Sequence, residues 1–174
     1  MPDPHSLAFL RIPFDWLIAL DYRPLHFAMQ PYHHLVRILH ILSMAAFFGG
    51  IGLLDLRLIG WRGTVPLREF AEHTLPWLYA TFAVAVVSGV GLFLYNPVQV
   101  GSHAYFVPKL ILIALGLGNA LQFHRTSYLR ALAVEGVLPT SARVAGAVSL
   151  ALWTAVVICA ALNVEAAPKV LLIR

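Results

Sequence analysis

Residues 33–60 read HHLVRILHILSMAAFFGGIGLLDLRLIG. The run is long enough to cross a bilayer, which takes roughly 20 mostly apolar residues. It nevertheless holds His33, His34, Arg37 and His40 within its first eight positions. At helical spacing His33, Arg37, His40 and Met44 share one face. Ionisable side chains at membrane depth are costly and usually face a bundle interior or a polar site. The stretch therefore predicts a spanning helix carrying a stripe that binds something.

The rest of the chain fits that setting. Of 174 residues, 60% are hydrophobic and 11% charged, against about 25% charged in soluble domains. Four spans are expected, at 32–58, 70–95, 105–127 and 142–164; no charge falls between His73 and His103 or between Arg143 and Glu165. Runs of this length satisfy their backbone as helices. Short connections make neighbours antiparallel. The expected fold is thus an all-α integral membrane protein, a four-helix transmembrane up-down bundle over 32–164. An N-terminal interfacial segment (1–31) precedes it and a C-terminal tail (165–174) follows. Within the first segment, LAFLRIPFDWLIAL (7–20) is too short to span and lacks a basic leader and a small-residue cleavage site. It reads as a helix or broken helix lying in the interface, with Phe14 and Trp16 at headgroup level and Arg11 paired to Asp15 across one turn.

The net charge is +4, but the basic residues gather at the ends of apolar runs, which reads as topology rather than nucleic-acid binding. Arg57, Arg62 and Arg68 fall in the first connection and Arg125, Arg130 and Arg143 in the third, whereas 96–104 has none. The positive-inside rule places the Arg-rich loops in the cytoplasm and both termini outside. The single cysteine, Cys159, reads as a packed thiol. No CxxCH is present, so a haem would be held non-covalently. No HExxH, Ser/His/Asp arrangement or GxGxxG context supports hydrolysis or nucleotide binding.

Depth sorts the histidines. His33, His34 and His103 belong to one boundary, and His40 lies about 10 Å deeper than His33 at 1.5 Å per residue. At the other boundary His73 opens the second span and His124 closes the third, a pairing suited to bis-histidine axial ligation. Arg37, one turn from His40, suits a haem propionate. Metal-ligand candidates are therefore His40, His73, His124, His103 and His33, with Arg37 as a cofactor partner. Ala80, Ala83, Val84, Val87 and Gly91 read as a small-residue lane beside a flat cofactor. The glycines at 49, 50, 52, 89, 91, 116 and 118 read as close-packing positions. Asp55 reads with Arg57 and Arg62 as a surface ion-pair cluster, with proton transfer as its lesser reading. Asn119 and Gln122 read as interhelical hydrogen-bond formers.

The combination of His40, the Gly49–Gly52 patch and DLRLIG (Asp55–Gly60), with HTLPW at 73–77 and FVPKLILIALGLGNALQFH at 106–124, resembles a family of small bacterial four-helix membrane proteins. The layout is more loosely similar to four-helix b-type cytochromes and to the membrane domain of copper-resistance protein D. The b-type resemblance implies haem and membrane electron transfer; the copper-resistance resemblance implies copper movement. The fourth span has no histidine, a departure from the diheme layout.

The expectation is a b-type cytochrome of the bacterial inner (plasma) membrane with both termini periplasmic. It would hold one or two haem b groups and act as an electron-transfer (oxidoreductase) subunit. Its partners would be the lipid bilayer, a quinone, and a redox partner protein or larger membrane complex, with no nucleic acid. The alternatives are copper or other metal-ion transport, through His33, His40 and Met44, and a non-catalytic structural subunit of a membrane complex.

Overall fold

The computed structural model describes residues 11–61, 66–133 and 138–164. These form helices α1 (Phe14–Leu20), α2 (Arg23–Met29), α3 (His33–Ile59), α4 (Leu67–Tyr95), α5 (Pro97–Gly101), α6 (Phe106–Thr126), α7 (Tyr128–Ala133) and α8 (Thr140–Val164), with no strand among the described residues. Four of them, α3, α4, α6 and α8, are long and apolar enough to cross a membrane. The expected tail (165–174), the expected start of the N-terminal segment and Arg62 lie outside the described residues.

Each long helix starts and stops for a local reason. Pro66 precedes α4, where its missing N–H removes nothing from the helix ladder. The third helix ends at Gly60, whose φ of 109° is left-handed. The Gly60 N–H donates to the Arg57 carbonyl at 3.2 Å and the Trp61 N–H to the Leu56 carbonyl at 2.9 Å. That pair of bonds is a Schellman ending, and glycine suits its turn because it has no Cβ to clash. Arg143 of α8 then donates from Nε to the Ile59 carbonyl at 3.1 Å, satisfying another end group.

Cross-helix contacts fix the directions. Along α3, Val36 approaches Gly91 and Gly50 approaches Leu78 of α4, so the two are antiparallel. Phe47 meets Trp153, and Leu58 lies against Gly146, so α3 and α8 are antiparallel too. Trp153 covers Gly116, and Asn163 accepts from the Tyr105 N–H at 3.1 Å, which sets α6 against α8. The up-down-up-down order holds. The principal packing runs α4–α3–α8–α6. Phe93 and Phe106 stack at 5.2 Å between α4 and α6 at the His33 end, and α7 packs against both near the Ile59 end.

The core is an aromatic knot of Phe47, Phe82 and Trp153, with Leu54, Ala71, Leu78 and Val156 around it. On α4 the buried side chains are Ala71, Leu78, Ala85 and Ser88, the stripe that meets α3. Outside, the helices stay apolar: Leu35, Leu39, Leu42, Leu53, Trp77 and Val87 are all exposed. Large apolar side chains thus lie outside the bundle as well as inside it, as suits helices apolar enough to cross a membrane.

The N-terminal segment is a broken helix, α1 then α2, with Phe14 and Trp16 exposed. Leu17 is the exception. It is buried against Gly101 of α5, where a Cβ would collide with its methyl groups. The expected Arg11–Asp15 pair does not form, because the helix begins only after Pro13 and one-turn spacing does not apply to Arg11. Among the described residues the ion pair is Arg68 with Glu72 at 4.0 Å.

Candidate functional site

His40 is the best-organised histidine. It projects from α3 onto α4, its ring lying over Gly89, where a Cβ would sit 2.9 Å from Cε1. Its Nδ1 donates to the Ala85 carbonyl at 2.9 Å and lies 3.1 Å from the Ser88 Oγ. Ser88 in turn donates to the Val84 carbonyl at 2.5 Å, and Ser43 to the His40 carbonyl at 3.0 Å. An Nδ1 proton held by a backbone carbonyl leaves Nε2 as the lone-pair nitrogen. Metal-binding histidines are commonly oriented this way. His40 is only part-buried, and Nε2 has no hydrogen bond among the described residues and is absent from their buried partnerless atoms. It therefore reaches the surface of the α3–α4 pair.

Two cations flank this ring. Arg37 lies one turn away on α3 and is exposed. Lys109, in the first turns of α6, is close enough for its charge to act on His40, and its Nζ lies 5.2 Å from the Phe106 ring centre. Lys109 also lies within electrostatic range of Cys159 on α8. All four long helices thus contribute a polar group near this level: His40, Ser88, Lys109 and Cys159. Lys109 was legible only as a charge near the start of a span; its nearness to His40 depends on helix packing.

The other candidates are placed differently. His33 donates from Nδ1 to the Gln30 carbonyl at 2.8 Å and stacks on Tyr95 at 4.9 Å, while His26 stacks on Tyr95 at 4.5 Å and bonds the Tyr95 carbonyl at 2.9 Å. These rings, with His34 at 3.7 Å from His33, tie α2 and the head of α3 to the end of α4. His103 is half-buried between α5 and α6. His73 is exposed and donates to the Glu69 carbonyl of its own helix at 2.8 Å; His124 is exposed and stacks on Tyr128 at 4.7 Å. No hydrogen bond or ring contact joins His73 to His124 among the described residues. Their helices have α3 and α8 as principal neighbours, not each other. Nor do the described residues gather three or more His, Cys, Asp or Glu side chains into a metal-holding group. Of the small-residue lane, Ala80, Ala83, Val84 and Val87 are exposed, as His73 is, whereas Gly91 is half-buried against Met29 and Val36. Burial pushes the Tyr128 phenol above its usual range; nearby Tyr79 and Glu72 add to this and Arg68 opposes it.

At the Ile59 end, Asn119 donates to the Ala145 carbonyl at 3.0 Å, the interhelical role expected of it. Beside that bond a cleft of about 340 Å³ opens between α6 and α8, lined by Asn119, Gln122, Thr126, Ser127 and Ser141 among others. Asp55 does not join a surface cluster with Arg57. It is 2% exposed, turned toward α8, where Ser149 hydrogen-bonds its carboxyl. The reason is helical phase: Leu54, Asp55 and Leu58 form the buried stripe, and Arg57 points elsewhere, donating to the Trp61 carbonyl at 3.3 Å.

No family model, curated protein or solved structure matches the chain.

Proposed function

We propose that this chain is a multi-pass membrane protein that holds a b-type haem at His40 and passes electrons within or across the membrane. The observation that supports it is the His40 geometry, with Nδ1 anchored on the Ala85 carbonyl and Nε2 directed outward. His40 would supply an iron-ligating nitrogen, while Arg37 and Lys109 would neutralise propionates at the same end of the bundle. The haem would supply a one-electron couple, and the chain orients it in a low-dielectric setting. A quinone in the bilayer or a partner redox protein would exchange the electron. We place the protein in the bacterial inner membrane with both termini periplasmic, on the arginine distribution. His73 and His124 take surface roles in this reading, with no second haem between them.

The test is an optical spectrum of the full-length protein purified after expression with haem supplied. A reduced b-type α band and a pyridine haemochrome are expected. His40→Ala should abolish them, and the His73→Ala/His124→Ala double variant should keep them. A colourless wild type overturns the haem reading; loss of haem in the double variant with retention in His40→Ala overturns the ligand assignment.

A further inference from the structure

Asp55 lies on α3 about 22 Å from His40, counting 15 residues at 1.5 Å each, and takes no part in the site above. Its Oδ2 is buried without a hydrogen-bond partner, the one such side-chain atom among the described residues. Ser149 of α8 hydrogen-bonds its carboxyl. The same interface is tight: at Gly146 a Cβ would sit 2.9 Å from the Asp55 carbonyl oxygen and 2.8 Å from the Leu58 Cβ.

Among the described residues no ion pair reaches Asp55. From α8, Arg143 directs Nε to the Ile59 carbonyl. From α4, Arg68 pairs with Glu72 and His73 donates to Glu69, all on exposed surface. From α6, Asn119 donates to Ala145, and His124 and Arg125 in its last turn are exposed. Tyr128 of α7 faces Tyr79, Glu72 and Arg68 of α4. Arg57 lies on α3 itself and donates to Trp61. A lone buried carboxylate is strongly disfavoured unless something positive joins it. A hard metal cation gathers six or more oxygens, whereas Oδ2 is buried without a hydrogen-bond partner. A proton needs none.

We propose that Asp55 is a proton-binding site inside the α3–α8 interface. A cleft between α6 and α8 lies nearby: Ala145, on its wall, is the neighbour of Gly146. That cleft is large enough for several waters at about 30 Å³ each. The site is independent of the haem reading.

Dicyclohexylcarbodiimide tests it directly. A protonated carboxyl gives its proton to a carbodiimide nitrogen while its oxygen adds to the central carbon. The adduct rearranges to a stable N-acylurea, so the peptide gains one whole reagent molecule. Full-length protein in proteoliposomes would be treated across a pH series and read by peptide mass spectrometry. Label is expected on Asp55, falling about tenfold per pH unit once the proton has left. Asp55→Asn should remove it. Ser149→Ala keeps the carboxyl but loses its donor, and should move the profile to more alkaline pH. Absence of label on Asp55 at every pH, a pH-independent yield, or protection by sodium at fixed pH would each overturn the proposal.

Discussion

At the scale of single residues, the glycines divide sharply by what a methyl group would meet. At Gly89 it would press on the His40 ring at 2.9 Å, whereas at Gly118 nothing lies within 4 Å. Gly89→Ala should therefore lower stability by about 1–3 kcal/mol, the usual range for overpacking. Gly118→Ala should raise it by about 0.5–1 kcal/mol through helix propensity. Thermal unfolding in one detergent separates the two signs. Sequence spacing grouped these glycines as packing positions, which holds for Gly50, Gly89 and Gly116 but not for Gly49, Gly52 or Gly118. Periodicity shows that a helix has small residues; it does not show which of them face a neighbour. The same gap explains Asp55. Two residues of spacing from Arg57 invited an ion pair, but only the packed bundle reveals that position 55 lies in the buried stripe.

At the scale of elements, the four long helices were legible because length and apolar content alone define a span. Their ends were less so. The fourth helix begins at Leu67, before the predicted boundary at 70, since Arg68, Glu69 and Glu72 continue the helix beyond its apolar part. Charge marks where a greasy segment stops, not where hydrogen bonding stops. The exit of α3 depends on Gly60 in its left-handed conformation. Gly60→Ala should cost roughly 1–2 kcal/mol, the penalty of that conformation for an L-residue with a Cβ. A denaturation midpoint shift without a change in helix content would report it; an unchanged midpoint would mean the Arg143 bond to Ile59 suffices to hold that end.

At the scale of the whole molecule, His40 was legible as an unusual group at depth, while its setting was not. Ala85, Ser88 and Lys109 come from helices 45 or more positions away in the chain. For His73 and His124, matching depth was legible but not the packing between them, which sets α3 and α8 between α4 and α6. The antiparallel order, joined to the arginine distribution, also yields a topology. In a variant lacking Cys159, a cysteine at Gln99 should react with a membrane-impermeant thiol reagent in intact cells, and one at Arg68 should react only after lysis. The reverse pattern would invert the proposed orientation.

The contact of Leu17 with Gly101 gives the N-terminal segment a mechanical part. The first helix is joined to α3 through α2, and its one buried side chain is held by the connection between α4 and α6. The chain therefore doubles back on itself as a clasp. A pull on α1 is transmitted to the joint where α4 hands over to α6. The linkage limits how far that joint can move from the head of α3 without first withdrawing a single leucine from its socket.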